Sequence, residues 1–266
     1  MKITRTVRIL LGTFILGGLL TSCTAEELSE RIYNQGNHLL PLPATLQQGV
    51  GTFVLSDQTR IYVNSPEAKA VADFYAEKLR QSTGYELKAT DAPGKNVIML
   101  NLDKAAGSEN NPERYTLDVS TDQVTVAAAT PQGLFYGLST FMQLLPAEVE
   151  SAEVVKGKWS APVVHIADAP RFPYRGCMLD VARHFISVEG LKKHIDILSM
   201  FKINRLHLHL TDFQGWRIEI KKYPRLTMVG ATRIDEYGNT YSGYYTQEQM
   251  RDIVAYAAER FETIIP

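Results

Sequence analysis

Apolar positions along the chain fall first into one unbroken run and then into two rhythms. Ile9 to Leu20 is a 12-residue apolar run, behind Lys2, Arg5 and Arg8 and ahead of Thr21, Ser22 and Cys23. It is shorter than the ~20 residues that cross a bilayer, and its basic, apolar and small-residue order predicts a signal peptide over residues 1–22. Residues 23–38 are polar and predict a tether. From Leu39 the spacing alternates between strand and helix. Thr52–Leu55 and Arg60–Val63 read as strands. Ser65-Pro66 then opens a helix, with Val71, Phe74, Tyr75 and Leu79 on one face and Gly84 as its stop. Asn96–Leu102, Arg114–Val119 and Gln123–Ala128 are strand-like, separated by turn formers that include Gly107 and Asn110. Thr130-Pro131 opens a second helix with an apolar stripe of Leu134, Leu138, Phe141, Leu144 and Leu145. This order predicts an α+β domain over residues 39–167, a small sheet with helices on one face.

Residues 168–266 have a different texture. Tyr174–Val181 reads as a strand, Ser187 caps a helix carrying Leu191, Ile195 and Leu198, and Ile203–Leu210 is the next strand. Strand, helix, strand in that span predicts a βαβ unit, hence a parallel pair joined by a right-handed crossover. Leu206, Leu208 and Leu210 share one face of the second strand, and His207 and His209 share the other. Both faces of a parallel sheet are covered. The imidazoles therefore either point into a barrel interior or cleft, or are buried rings satisfied by their neighbours. Thr246 with Gln249 predicts a capping box for a helix bearing Ile253, Val254 and Ala257, and Thr263–Pro266 begins a third strand.

Composition narrows the possibilities. With 45% hydrophobic and 21% charged residues the chain is globular rather than disordered or coiled coil. Lys+Arg 28 against Asp+Glu 29 supplies no basic excess for a nucleic-acid backbone, so no nucleic-acid partner is expected. Without residues 1–22 the balance becomes 25 basic against 29 acidic groups, a mildly acidic body. Two cysteines, Cys23 and Cys177, cannot form a disulfide scaffold. Leu20-Thr21-Ser22-Cys23 resembles the lipobox of bacterial lipoproteins, in which the cysteine becomes the lipidated first residue. The expectation is a protein anchored to membrane through Cys23, on the periplasmic or cell-surface face of a Gram-negative outer membrane; a plain secretory signal is the alternative.

Candidate chemistry gathers after the second barrel-like strand. Thr211-Asp212 ends it, and a long insertion follows with Trp216, Tyr223, Tyr237, Tyr241, Tyr244 and Tyr245. Loops at the carboxyl ends of parallel strands are where α/β barrels hold ligands. Aromatic faces beside carboxylates suit sugar rings, whose C–H faces pack on aromatics while hydroxyls bond polar groups. His207-x-His209 is also a metal-ligand pattern, which keeps a metal-dependent hydrolase as a rival. Nothing in residues 39–167 has the spacing of a metal site or a nucleophile, so that domain is expected to support rather than react.

Two long motifs extend this reading. Asp168-x-Pro170-Arg171-Phe172-x-Tyr174-Arg175-Gly176-x-Met178-Leu179-Asp180-x-x-Arg183-His184 is the first, and Asn204-Arg205-x-His207-x-His209-Leu210-Thr211-Asp212 with Gln214-Gly215-Trp216-Arg217 is the second. Together they resemble glycoside hydrolase family 20, the β-N-acetylhexosaminidases, over about residue 39 to the end. The resemblance implies an α+β domain followed by the first part of a catalytic (β/α)8 TIM barrel. It implies release of terminal β-linked N-acetylglucosamine or N-acetylgalactosamine from glycans, with no metal or cofactor. In the implied mechanism the substrate's own 2-acetamido oxygen attacks the anomeric carbon, an exception to the usual two-carboxylate scheme. It further implies that Arg175 grips the ring hydroxyls of the terminal sugar, that Asp212 supports a histidine and through it the general acid, and that His209 lies near this network. Asp180, Arg183 and His184 are expected to be structural or supporting. Relatives usually read Asp-Asp where this chain has Asp212-Phe213. The catalytic carboxylates are expected beyond Pro266, so the 266-residue chain is expected to lack turnover; a glycan-binding lipoprotein that does not cleave is the second alternative.

Overall fold

The computed structural model describes residues 38–103, 111–234 and 237–266. The signal run, most of the tether, Cys23, Gly107 and Asn110 lie outside the described residues.

The first half is one mixed sheet with two helices on one face. Its strands are β1 (Thr45–Val54), β2 (Arg60–Val63), β3 (Val97–Leu102), β4 (Tyr115–Val119), β5 (Gln123–Ala128) and β6 (Ser160–Asp168), in the spatial order β1-β6-β4-β5-β3-β2. Helix α1 (Pro66–Thr83) starts where Ser65 Oγ accepts the Ala68 N–H, with Pro in its first turn, and ends at Gly84 in the left-handed region. Helix α2 (Pro131–Leu144) is capped by Thr130, which accepts the Gly133 N–H. Both press on the sheet, and α2 is buried nearly all round, because Phe53, Tyr75, Phe135 and Phe141 from three elements meet in one core.

β6 has no counterpart in the sequence reading, and β1 begins well before Thr52. Pro162 interrupts the alternation of β6, and prolines inside strands belong to edges and irregular pairings. β1 is mostly exposed and its register slips between Gln48 and Thr52, across Gly49 and Gly51, so little apolar rhythm marks either strand. They pair antiparallel all the same, and β6 also pairs with β4.

The second half holds three parallel strands, β7 (Gly176–Asp180), β8 (Arg205–His209) and, later, β13 (Thr263–Ile265), in the order β13-β8-β7. Helix α3 (Val188–Met200), capped by Ser187, connects β7 to β8. After β8 come the hairpin β9 (Thr211–Asp212) and β10 (Gly215–Trp216), the four-residue α4 (Arg225–Met228), and the hairpin β11 (Thr232–Ile234) with β12 (Thr240–Ser242). Helix α5 (Gln247–Ala258), opened by the Thr246–Gln249 capping box, leads into β13. Leu191, Ile195 and Leu198 of α3 and Ile253 and Ala257 of α5 pack against Leu206, Leu208 and Leu210; Val254 is instead partly exposed. Met178, Asp180, His207 and His209 lie on the other face of this sheet, where Met178 pairs with His207 and Asp180 with His209.

The turns at the amino ends of these strands seat on the first domain. Lys202 and Phe261, which end the turns after α3 and α5, both take left-handed backbone, a conformation that costs a bulky residue on the order of 1 kcal/mol. Each is held by what it reaches. The buried Lys202 Nζ donates to Tyr115 Oη (3.0 Å) and meets Asp168 (3.4 Å). The Phe261 ring packs edge-on against Phe135 at 5.4 Å between centroids.

Candidate functional site

At the carboxyl ends of β7 and β8 four polar side chains converge. Asp180, the last residue of β7, accepts the Arg183 N–H at 2.9 Å, which closes the turn after the strand, and also accepts from the Arg183 guanidinium. The other arm of Arg183 reaches Asp212 Oδ2 at 2.7 Å, and His209 Nε2 bonds the same oxygen at 2.9 Å. Asp212 sits in the tight β9–β10 hairpin, where its Oδ1 accepts the Phe213 N–H at 2.6 Å. One cation thus bridges two carboxylates, and one of those carboxylates orients an imidazole.

The electrostatics follow from these contacts. Bonds from His209, then from the Phe213 N–H, together with the Arg183 charge, hold the Asp212 carboxyl below the usual range. Partial desolvation pushes the Asp180 carboxyl up, but the Arg183 N–H and guanidinium outweigh it and the group ends lower than usual. Both stay ionised at neutral pH. The Arg183 side chain remains 57% exposed and faces solvent on the open side of the sheet, with donors to spare for a ligand.

His209 and Asp212, expected near one network, are brought together here. Arg175 is not. It precedes β7 and so lies at the amino end of the sheet, opposite the cluster. Its guanidinium is consumed there: Nη1 and Nη2 donate to Glu113 at 2.7 and 3.0 Å, Nη2 to Tyr136 Oη, Nη1 to the Phe172 carbonyl and Nε to the Lys202 carbonyl. A group with every arm engaged inside the interdomain seam has none left for a sugar. The expectation for Arg175 is therefore corrected: it clamps the two domains. The arginine left open to solvent is Arg183, and the signal for it was positional, since it follows its strand whereas Arg175 precedes it. Cys23, the expected lipidation site, lies outside the described residues.

Arg217, the last position of the second motif, organises the loops. Its side chain is fully buried and donates to the carbonyls of Ala182 (3.1 and 2.9 Å), Ala231 (2.6 Å) and Gly243 (2.9 Å). The guanidinium also lies over the rings of Tyr241 and Phe185. Tyr241 and Tyr245 extend the knot by donating to the carbonyls of Phe185 and Ile186. The turn that presents Arg183 is thereby tied to the β11–β12 hairpin. Those two tyrosines are structural, whereas Trp216 and Tyr223 line an open cleft beside Asp212. Among the described residues no three His, Cys, Asp or Glu side chains converge as metal ligands.

Comparison with known proteins agrees with this layout. Residues 37–169 match the profile of glycosyl hydrolase family 20, domain 2, and residues 172–266 match that of the glycosyl hydrolase family 20 catalytic domain. The chain is 47% identical over 254 residues to a beta-hexosaminidase of Porphyromonas gingivalis, covering 95% of this chain and 32% of the relative. It is 35% identical over 240 residues to a beta-hexosaminidase of Vibrio furnissii, covering 86% of this chain and 36% of that protein. Among solved structures it resembles the GH20 beta-N-acetylhexosaminidase from Streptomyces coelicolor A3(2), with a TM-score of 0.79 and 39% identity over 87% of this chain and 46% of that one. A GH20 exo beta-N-acetylglucosaminidase from Vibrio harveyi in complex with N-acetylglucosamine gives a TM-score of 0.76 at 32% identity, over 87% of this chain and 36% of that one. The chain thus spans about a third of the length of the curated relatives it matches.

Proposed function

The chain belongs to glycosyl hydrolase family 20, and from that premise we propose that the protein hydrolyses terminal non-reducing β-linked N-acetylglucosamine or N-acetylgalactosamine from glycans. The observation that carries the proposal is the Asp180–Arg183–Asp212–His209 cluster at the carboxyl ends of parallel strands, the end at which barrel enzymes assemble their sites. The planar fork of Arg183 suits adjacent ring hydroxyls, and its two carboxylates hold it in place and keep it charged. Asp212 accepts a hydrogen bond from His209 Nε2–H and fixes the tautomer, which leaves Nδ1 of the ring to accept from a neighbouring acid.

In the reaction we propose, the substrate's 2-acetamido oxygen forms a bond to the anomeric carbon as the glycosidic oxygen departs with a proton from a general acid. Water then opens the resulting oxazolinium from the same face as the departed group and returns a proton to that acid, so the anomeric configuration is retained. No metal enters this scheme. The His207-x-His209 pattern keeps a metal-dependent hydrolase as the rival, and stoichiometric zinc or manganese in the purified protein would favour it.

Hydrolysis of a chromogenic β-N-acetylglucosaminide by the full-length protein, and its inhibition by a thiazoline mimic of the oxazolinium, tests the proposal. Arg183→Ala is expected to weaken binding of that mimic at least tenfold. Sugar binding without any hydrolysis would support a glycan-binding protein instead. We further propose, from the sequence pattern, that lipid on Cys23 anchors the protein on the periplasmic or outer surface of a Gram-negative cell. Mass spectrometry of the mature N-terminus tests this, and an unmodified residue 23 refutes it.

A further inference from the structure

We propose that the cleft beside Asp212 binds an acidic sugar, sulfated or carboxylated, as the unit from which the terminal N-acetylhexosamine is cleaved. This rests on the glycan-hydrolysing reading above and goes beyond it by naming the neighbouring unit. The cleft has a volume of about 840 Å³, and its walls include Phe213, Trp216, Tyr223, Val229, Lys222 and Arg225. That volume is in the range of pockets that hold small organic ligands. Asp212 belongs both to this cleft and to the cluster that meets the terminal sugar, so an occupant of the cleft lies next in line along the glycan.

The walls carry two kinds of chemistry. Phe213 is 97% exposed while its N–H is spent on Asp212; an aromatic ring that packs on nothing of its own is a stacking surface beside a carboxylate. Trp216 is pinned by its Nε1–H to the Ile218 carbonyl at 2.7 Å, and Tyr223 is half exposed. Such faces take the C–H side of a pyranose. Lys222 and Arg225 bring positive charge. Neither has a carboxylate within salt-bridge distance among the described residues, whereas the adjacent Lys221 pairs with Glu248 at 3.0 Å. An anionic substituent on the stacked sugar would form charge-assisted hydrogen bonds with these two cations.

The experiment is calorimetric titration of the purified chain with four probes: N-acetylglucosamine methyl β-glycoside, N-acetylglucosamine β-linked to galactose, the same disaccharide sulfated on the galactose, and N-acetylglucosamine β-linked to glucuronate. Acidic disaccharides are expected to bind about tenfold tighter than the neutral one, with an advantage that shrinks as salt is added. Preference for only one of the two acidic probes would identify the anion. The double variant Lys222→Gln/Arg225→Gln is expected to erase the advantage. Phe213→Ala is expected to weaken every disaccharide and leave the methyl glycoside unchanged. All three positions are on the surface, and unchanged unfolding midpoints confirm that the variants fold. Equal affinity for acidic and neutral disaccharides, or an advantage that survives in the double variant, overturns the inference while methyl glycoside binding leaves the family reading standing. Failure of all four probes to bind counts against both.

Discussion

Removing the charge of Glu113 should separate the two roles that Arg175 could play. Its side chain is 8% exposed and that of Arg175 13%. Beyond both guanidinium arms, Glu113 accepts from Asn204 Nδ2 at 2.9 Å and Gln132 Nε2 at 2.8 Å. In Glu113→Ala the arginine keeps two carbonyls and one hydroxyl but loses its only ion-pair partner among the described residues. Breaking a buried pair by removing one partner costs about 3–5 kcal/mol, because the surviving charge stays buried. For a chain of this size each kcal/mol moves the midpoint by roughly 2–4 °C, so a drop of about 10 °C is expected. Arg175→Ala should cost a comparable amount, and the double variant Glu113→Leu/Arg175→Met should recover much of the loss, since apolar replacement of both partners leaves no orphaned charge. The assay is reversible urea unfolding followed by tryptophan fluorescence, alongside affinity for the thiazoline mimic. Single variants within about 1 kcal/mol of the parent, or an Arg175→Ala variant of normal stability that no longer binds the mimic, would refute the clamp.

Other expectations follow from single residues. Glu262 is buried with neither carboxylate oxygen hydrogen-bonded among the described residues, and desolvation raises its pKa to about 8 against the pull of Arg260. It binds its proton in the folded chain up to about pH 8 and releases it near 4.5 when unfolded, so its contribution is full below pH 4.5 and is lost as pH rises through 8. Glu262→Leu should remove that part of the slope and gain a few kcal/mol at pH 8; an unchanged slope would refute the assignment. Arg217→Met should leave the carbonyls of Ala182, Ala231 and Gly243 short of donors and cost about 3 kcal/mol or more. Hydrogen exchange should then quicken over residues 182–186 and 231–245. Asp212→Asn removes the charge beneath Arg183 and should weaken the mimic by about tenfold, read by titration of the mimic against both proteins.

Much of the local structure was legible because its causes are local. Ser65-Pro66, Thr130-Pro131, Ser187 and the Thr246–Gln249 box start their helices as read, since a cap is a bond between neighbours in sequence. The alternation of Leu206, Leu208 and Leu210 with two histidines became one packed and one open face for the same reason. β6 escaped because its partners are β1 and β4, far away in sequence, and their ladder outweighs the weak strand signal around Pro162.

Local pattern was enough for the βαβ order and the helix starts, whereas the bond from His209 to Asp212 came from the structure. Which arginine stays open to solvent was settled by how the domains seat. Arg175 and Arg183 flank one five-residue strand and carry the same chemistry, but a strand has two ends. The amino end of β7 is sealed by Glu113, 62 positions away, while the carboxyl end stays open around Asp212. Charge pairing across such a distance depends on how the domains seat, which no local pattern encodes.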